Sequence, residues 1–368
     1  GAYLTPTGCV SNLRNPATCM TGVYRIPALH GSFRVVLTNT VPVAAYRGAG
    51  RPDIAYAVER LVDQAATELN IDRDELRRRN FIPLDAFPYK TPTLGVYEQS
   101  DFAGCLDKAL KAADWNGFAP RRAAAVKRGK LRGIGMATVI EGTGAGIYPK
   151  DQIAIEFDTR GRLMVYTVSL SQGQSHETTF AAIVAQTLGV APDAVTLRQS
   201  VQGKDLNGNH TGGSRSLVGA GSVCKIAAQK LIEQARPLAA EALELEPSQL
   251  DYAAGAFRQR GGEKMIGLLD LARRHACRNP HPLNLVAEGT VGSTFPNGCH
   301  IAEVEVDPET GVTEIVSYVA VDDCGNVINH SVVEGQIHGG VAQGAGQVFG
   351  EHAMYDRGSG QLLTGSFS

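Results

Sequence analysis

The sequence predicts an α+β chain built as two mixed α/β lobes. Helical spacing of apolar residues dominates up to about residue 115, and strand-like runs dominate from Leu131 onward with helices between them. No repeat period joins the two halves. Hydrophobic residues make up 43% and charged residues 20%, a globular composition that excludes global disorder. At 368 residues the chain has room for roughly two or three domains and needs no staples to fold.

The first helix follows Arg51-Pro52, because proline suits a first helical turn and Asp53 complements the positive end of the dipole. Ile54, Ala57, Val58, Leu61, Val62, Ala65 and Leu69 recur on one face, which is expected to be buried. Asp72 reads as the cap of a short helix through Leu76 and Arg79, and Pro83, Pro88 and Pro92 mark an irregular loop. Phe102–Trp115 reads as another helix. Asn116–Lys130, basic and containing Pro120, reads as a linker. This sets the expected lobes at 1–120 and 121–368, the second cut short at its C-terminal end.

Leu131–Ile140, Gln152–Phe157 and Arg162–Ser169 read as strands, the last two joined by the turn Asp158–Gly161. A helix over His176–Leu188 carries Phe180, Ile183, Val184 and Leu188 on one face, and a strand near Ala194–Arg198 follows. A long helix over Ser216–Ala235 is expected to end or kink at Pro237. Ile301–Val306 and Val312–Val321 bracket the hairpin turn Asp307–Gly311. A glycine-rich helix runs from Val333 to about Met354.

Composition also bounds function. Thirty-five basic against 37 acidic residues give a net charge of −2, which offers no electrostatic footprint for nucleic acid. No run of about 18 apolar residues could span a bilayer. The seven cysteines are odd in number and widely spaced, which points to reduced thiols in a cytoplasmic setting. No metal ligand set is evident.

Four segments set polar side chains beside glycine at element boundaries. Tyr46–Pro52 places two arginines and free amides at a helix start, suited to an anion, or simply to a tight turn. Its spacing is not the GxGxxG of a dinucleotide fold. Ser171–Thr178 offers two glutamines around a glycine, or a plain helix cap by Ser175 with Glu177 in the first turn. His176 reads as structural, having no partner ligand at i+4. Asn207–Ser216 offers hydroxyls and an arginine to a phosphate, or a flexible polar loop. Asp322–Asn329 leads into a helix containing Gly335, Gly339, Gly340, Gly344 and Gly346. Each glycine there costs up to about 1 kcal/mol against alanine, which implies close packing on a neighbour or a ligand. Asp322 and Asp323, adjacent on a strand, face opposite sides and form no acid/base dyad. Cys324 reads as an inert thiol.

Taken in order, AYRGAGRP, NFIP, QGQSHETT, GGSRS, DDCG and VEGQIHGGVAQG strongly resemble the molybdenum-binding large subunits of the xanthine dehydrogenase family, in particular the aerobic carbon monoxide dehydrogenase-like branch. The resemblance runs over nearly the whole chain. It implies a molybdopterin cofactor carrying molybdenum, in this branch the cytosine dinucleotide, and oxidation of a small aldehyde, N-heterocycle or CO-like substrate with water as oxygen donor. Electrons would pass to Fe–S and FAD subunits, the whole assembling as a dimer of heterotrimers. Carried over by motif, Arg47 is the catalytic candidate and Gly48, Ala49 and Gly50 the active-site loop. Gln172, Gly173, Gln174, His176, Ser214, Arg215, Ser216, Asp323, Asn329 and Gln343 are cofactor-binding candidates.

Three departures stand out. Carbon monoxide dehydrogenases carry a copper-holding cysteine after the arginine, where this chain has Gly48. Ser175 stands where QGQGHE has its middle glycine, and His330 where INP has proline. The family's apical-contact segment would precede residue 1 and its catalytic glutamate would follow Ser368. The isolated chain is therefore expected to be inactive: a fragment, a chain completed by another, or a non-catalytic partner-binding piece.

Overall fold

The computed structural model describes residues 1–368 except 6, 7, 9, 94, 145–147, 291 and 366–368. In chain order the helices and strands are α1 (Asn15–Thr18), α2 (Arg51–Leu69), α3 (Arg73–Asn80), β1 (Tyr89–Lys90), β2 (Val96–Tyr97), α4 (Phe102–Ala112), α5 (Phe118–Lys127), β3 (Leu131–Ile140), β4 (Lys150–Phe157), β5 (Leu163–Thr167) and α6 (His176–Leu188). They continue with β6 (Val195–Gln199), α7 (Ser222–Leu243), β7 (Leu250–Ala253), β8 (Ala256–Gln259), β9 (Met265–Gly267), α8 (Leu268–Arg274), β10 (Leu285–Thr290), β11 (Asn297–Val306), β12 (Thr313–Asp323) and α9 (His330–Phe349). The α+β class expected from the sequence holds.

The chain divides into two compact units. The first comprises Gly1–Gly142, Thr294–Asn326 and Glu334–Ser368, and the second Thr143–Ser293 with Val327–Val333. This division differs from the sequence-based split near residue 120. β3 pairs along its whole length with β11, from Asn297↔Ile140 to Val306↔Leu131, so strands far apart in sequence belong to one sheet.

In the first unit an antiparallel sheet of order β12-β11-β3 carries the core on one face. Met136, Ile140, Cys299 and Ile301 alternate inward, as the strand period of two requires, and meet Phe81, Phe102 and Leu106. On α2 the expected apolar face is only partly buried: Ile54, Val58, Val62 and Ala65 are half-buried, whereas Leu61 and Leu69 are 66% and 60% exposed. What α2 buries instead is Glu59. This carboxylate accepts from Arg77 Nη2 at 2.8 Å and from the Thr138 amide of β3 at 2.8 Å. Asp72 stands at the N-cap of α3 but makes no side-chain cap bond.

The expected linker 116–130 is a helix, α5. Pro120 falls in its first turn, where a missing N–H costs nothing. Its basic residues have partners: Arg121 donates to Glu303 on β11 at 3.0–3.2 Å, and Arg128 pairs with Glu305.

In the second unit the sheet order is β10-β4-β5-β6, with β5 and β6 parallel and the other pairs antiparallel. The β4–β5 hairpin and α6 fall where the sequence placed them. Ile153, Ile155, Val165, Phe180, Val184 and Leu231 pack into one core. α7 runs past Pro237 rather than ending there. The lost hydrogen bond and ring clash cost about 3 kcal/mol. Burial of Leu231, Ala235, Ala239 and Ala240 on both sides of the proline offsets that cost. The second unit also contains a small antiparallel sheet β7-β8-β9, followed by the short helix α8.

Candidate functional site

Loop 46–52 of the first unit is shaped by glycine. Gly48 and Gly50 have φ of +83° and +86°, in the left-handed region that glycine favours. A Cβ on Gly50 would lie 1.9 Å from Ser11 O, so the loop backbone passes directly against the N-terminal segment. Arg47 reaches α9, where its Nη2 donates to both the carbonyl and the Oε1 of Gln336 at 2.8 Å. A Cβ on Gly339 would come within 3.0 Å of Arg47 Nη1. At this point the glycine-rich helix is packed on a neighbour, and that neighbour is the loop arginine. Tyr46 adds a second tie, its hydroxyl donating to Glu351 at 3.0 Å.

Arg51, at the first position of α2, pairs with Glu141 at the end of β3 (3.1 Å). Burial pushes the Glu141 carboxyl up, and the charges of Arg51 and Arg47 oppose that rise. Nearby, Cys19 is a buried thiol, likewise pushed up by burial. Asp323 accepts from the Gly325 amide at 3.0 Å and shapes the turn after β12, while Asp322 accepts from His300 at 3.0 Å. Gln343 is half-buried on α9.

In the second unit, the 171–175 and 211–216 loops lie side by side. Ser169 Oγ donates to Ser216 Oγ at 2.9 Å and shares a hydrogen with Thr211 Oγ1 at 3.2 Å. The Leu170 carbonyl accepts from Thr211 and from Gln174 Nε2. Gln174 folds over its own loop, with its Oε1 on the Gln172 amide. Ser175 has φ +64° and makes no side-chain cap bond, so it opens α6 by backbone geometry rather than by the expected hydroxyl cap. Glu177 does lie in the first turn, its carboxyl held below the usual range by a backbone amide and by Gln199.

His176 is buried, stacked on Phe180 with ring centroids 4.6 Å apart, and its Nδ1 meets Ser169 O at 3.4 Å. Burial pushes its pKa down, so it is neutral near pH 7 and supports the loop from below. Gly213 has φ +59°, and a Cβ there would lie 2.9 Å from Arg215 Nη2; Ser214 is left-handed too, at +53°. Asn329 caps α9, accepting from the Val332 amide at 3.2 Å.

Thus Gln172, Gly173, Gln174, His176, Ser214, Arg215 and Ser216 are gathered in one unit with Asn329. Arg47, Gly48, Ala49, Gly50, Asp323 and Gln343 belong to the other. Sequence reasoning passed over Glu141 and Gln336. Glu141 had a readable signal, since it is a charged residue directly before Gly142 at a strand end. Gln336 had one too, since it lies inside the VEGQIHGGVAQG motif.

Residues 108–368 match the molybdopterin cofactor-binding domain family, and residues 1–81 match a second domain of the same description. This chain belongs to the molybdopterin cofactor-binding domain family. It is 33% identical over 362 residues to the carbon monoxide dehydrogenase large chain of Hydrogenophaga pseudoflava, covering 93% of this chain and 45% of that protein. It is 32% identical over 388 residues to the nicotine 6-hydroxylase large subunit of Paenarthrobacter nicotinovorans, covering 100% of this chain and 47% of that one. Among solved structures, quinoline 2-oxidoreductase from Pseudomonas putida 86 superposes with a TM-score of 0.85 at 30% identity, over 98% of this chain and 48% of that chain. The molybdopterin-binding chain thus resembles large subunits of molybdenum hydroxylases and spans about half the length of the curated relatives it matches. Among the described residues no helix is long and apolar enough to cross a membrane.

The paired loops fit such a cofactor chemically. Segments 171–175 and 211–216 present hydroxyls, amide side chains, backbone amides and one arginine, with no acidic residue among them. That donor set suits a polar heterocycle bearing phosphates. At Gly213 the Arg215 guanidinium lies so close to the loop backbone that a side chain there would displace it.

Proposed function

We propose that this chain is the cofactor-holding portion of a molybdenum hydroxylase large subunit. The observation that carries the reading is the Ser169–Thr211–Ser216 hydroxyl cluster, which ties two glycine-bearing loops together. Gln172, Gln174, Ser214, Arg215 and Ser216 would hold the pterin and its phosphates. The cytosine dinucleotide form is the one proposed. When bound, the group supplies the redox chemistry by which a small substrate gains an oxygen atom from water.

The chain's own residues have narrower tasks. The 171–175 and 211–216 loops bind and orient through preset donors, so little ordering is required on binding. His176, neutral and stacked, keeps the first loop in place. Arg47 fixes the active-site loop on α9 and brings positive charge to the place where an oxyanion would develop. Gly48 narrows the substrate. Its left-handed backbone, and a Cβ position only 2.5 Å from Pro52 Cγ, leave no room for a copper-holding cysteine. An aldehyde or N-heterocycle therefore suits the loop better than copper-assisted CO oxidation. Electrons are proposed to leave through Fe–S and FAD subunits, in a cytoplasmic dimer of heterotrimers.

Purified complex should contain molybdenum by elemental analysis, release cytidine nucleotide on acid treatment, and incorporate 18O from labelled water into an aldehyde or N-heterocycle product. A preparation that folds stably but holds neither metal nor pterin would overturn the reading and favour a non-catalytic, partner-binding role.

A further inference from the structure

Arg51, in loop 46–52, is tied to Glu141, a residue that none of the motif segments includes. The Arg51 side chain is 11% exposed, and its Nη1 donates both to Glu141 Oε1 at 3.1 Å and to the Gly48 carbonyl at 3.2 Å. Glu141 is itself set by the sheet, since its amide donates to Pro296 O at 2.9 Å. Its side chain is about two-thirds covered, at 34% exposure. Covering it raises the carboxyl pKa above the ordinary value despite two arginine charges. Whatever stability Glu141 adds therefore falls as pH rises from the unfolded pKa through the folded one. Its geometry points to a further task.

We propose that Glu141 is a positioning residue for loop Tyr46–Pro52: its carboxylate holds Arg51, Arg51 holds the Gly48 carbonyl, and this brace sets where Arg47 and the Gly48–Gly50 backbone stand. Its consequence for turnover rests on the function proposed above; the brace itself does not.

Trypsin separates the two. Arg47–Gly48 is a cleavable bond inside the loop, while Pro52 protects the bond after Arg51. In the full chain without cofactor, Glu141→Gln and Glu141→Ala should speed cleavage after Arg47 about tenfold with only a small fall in Tm, and Glu141→Asp should restore part of the protection. In the holoenzyme the same variants should keep their molybdenum, lose about tenfold in kcat and change KM little. Unchanged cleavage would overturn the brace. Faster cleavage with unchanged kcat would overturn the positioning role. Parallel loss of Tm, molybdenum and activity would make Glu141 merely structural. A wild type without molybdenum would sink the proposed function, while cleavage after Arg47 would still decide the brace.

Discussion

Replacing Arg77 with methionine should cost the first unit several kcal/mol. The Arg77 side chain is fully buried. Its Nε and Nη2 donate to Glu59 Oε2 at 3.0 and 2.8 Å, and its Nη1 donates to Asp63 Oδ1 at 2.8 Å and to the Arg73 carbonyl at 3.1 Å. Methionine fills much of the volume but leaves Glu59, 7% exposed, without its cation, and Asp63, 15% exposed, with only Arg73 at 3.6 Å. Glu59 would keep Tyr24 OH and the Thr138 amide, which limits the damage but does not neutralise the charge. Breaking a buried pair from one side costs about 3–5 kcal/mol. At about 2–4 °C per kcal/mol for a unit of this size, the melting temperature should fall by roughly 6–20 °C. Differential scanning fluorimetry reads the shift, and urea titration of Arg77→Met, Glu59→Gln and the double variant gives the coupling. A loss under about 1 kcal/mol, or additive single effects, would refute the account of a desolvated, mutually dependent pair. The network ties α2, which starts at loop 46–52, to β3, which ends just before Glu141. Its loss should therefore also raise trypsin cleavage after Arg47.

Ser175→Gly should stabilise the second unit by roughly 0.5–1 kcal/mol in urea titration, since a left-handed non-glycine residue costs about 1–2 kcal/mol and glycine's extra unfolded entropy returns part of that gain; a loss would mean that the Ser175 hydroxyl supports the loop. Burial opposes ionisation of Glu303, but hydrogen bonds from Arg121 and Arg132 outweigh it and hold its carboxyl below the ordinary range. Its ionised form therefore adds stability that is present above the unfolded pKa and lost as pH falls through the folded one. Stability of Glu303→Gln should accordingly be lower at pH 7 and fall less steeply on acidification below pH 5, and an unchanged slope would contradict this. Arg47→Ala should lower turnover much more than molybdenum content; equal loss of both would make Arg47 a purely structural anchor of α9.

Local signals sufficed for much of the chain. The span of α6, the strand at Leu131–Ile140 and the turns at 158–161 and 307–311 follow from periodicity and turn residues, because side-chain spacing and backbone preference act within a few residues. The four polar, glycine-bearing segments were legible for the same reason, and so was the family they match in order. Other features arose from pairings across distance. Burial on α2 centred on Glu59 rather than on the leucine stripe because Arg77 and β3 arrive there only in the fold. The supposed linker became α5 because Glu303 and Glu305, far along the chain, receive its arginines. α7 continued through Pro237 because the core on either side outweighs one lost hydrogen bond. Likewise, Arg47 against Gly339 and Arg51 against Glu141 are contacts between residues 292 and 90 positions apart, which no local spacing encodes. Sequence alone thus determined many of the elements, the turn chemistry and the polar groups available to a cofactor. Tertiary structure decided which of those groups brace one another, because desolvation and charge pairing depend on what is near in space rather than in sequence.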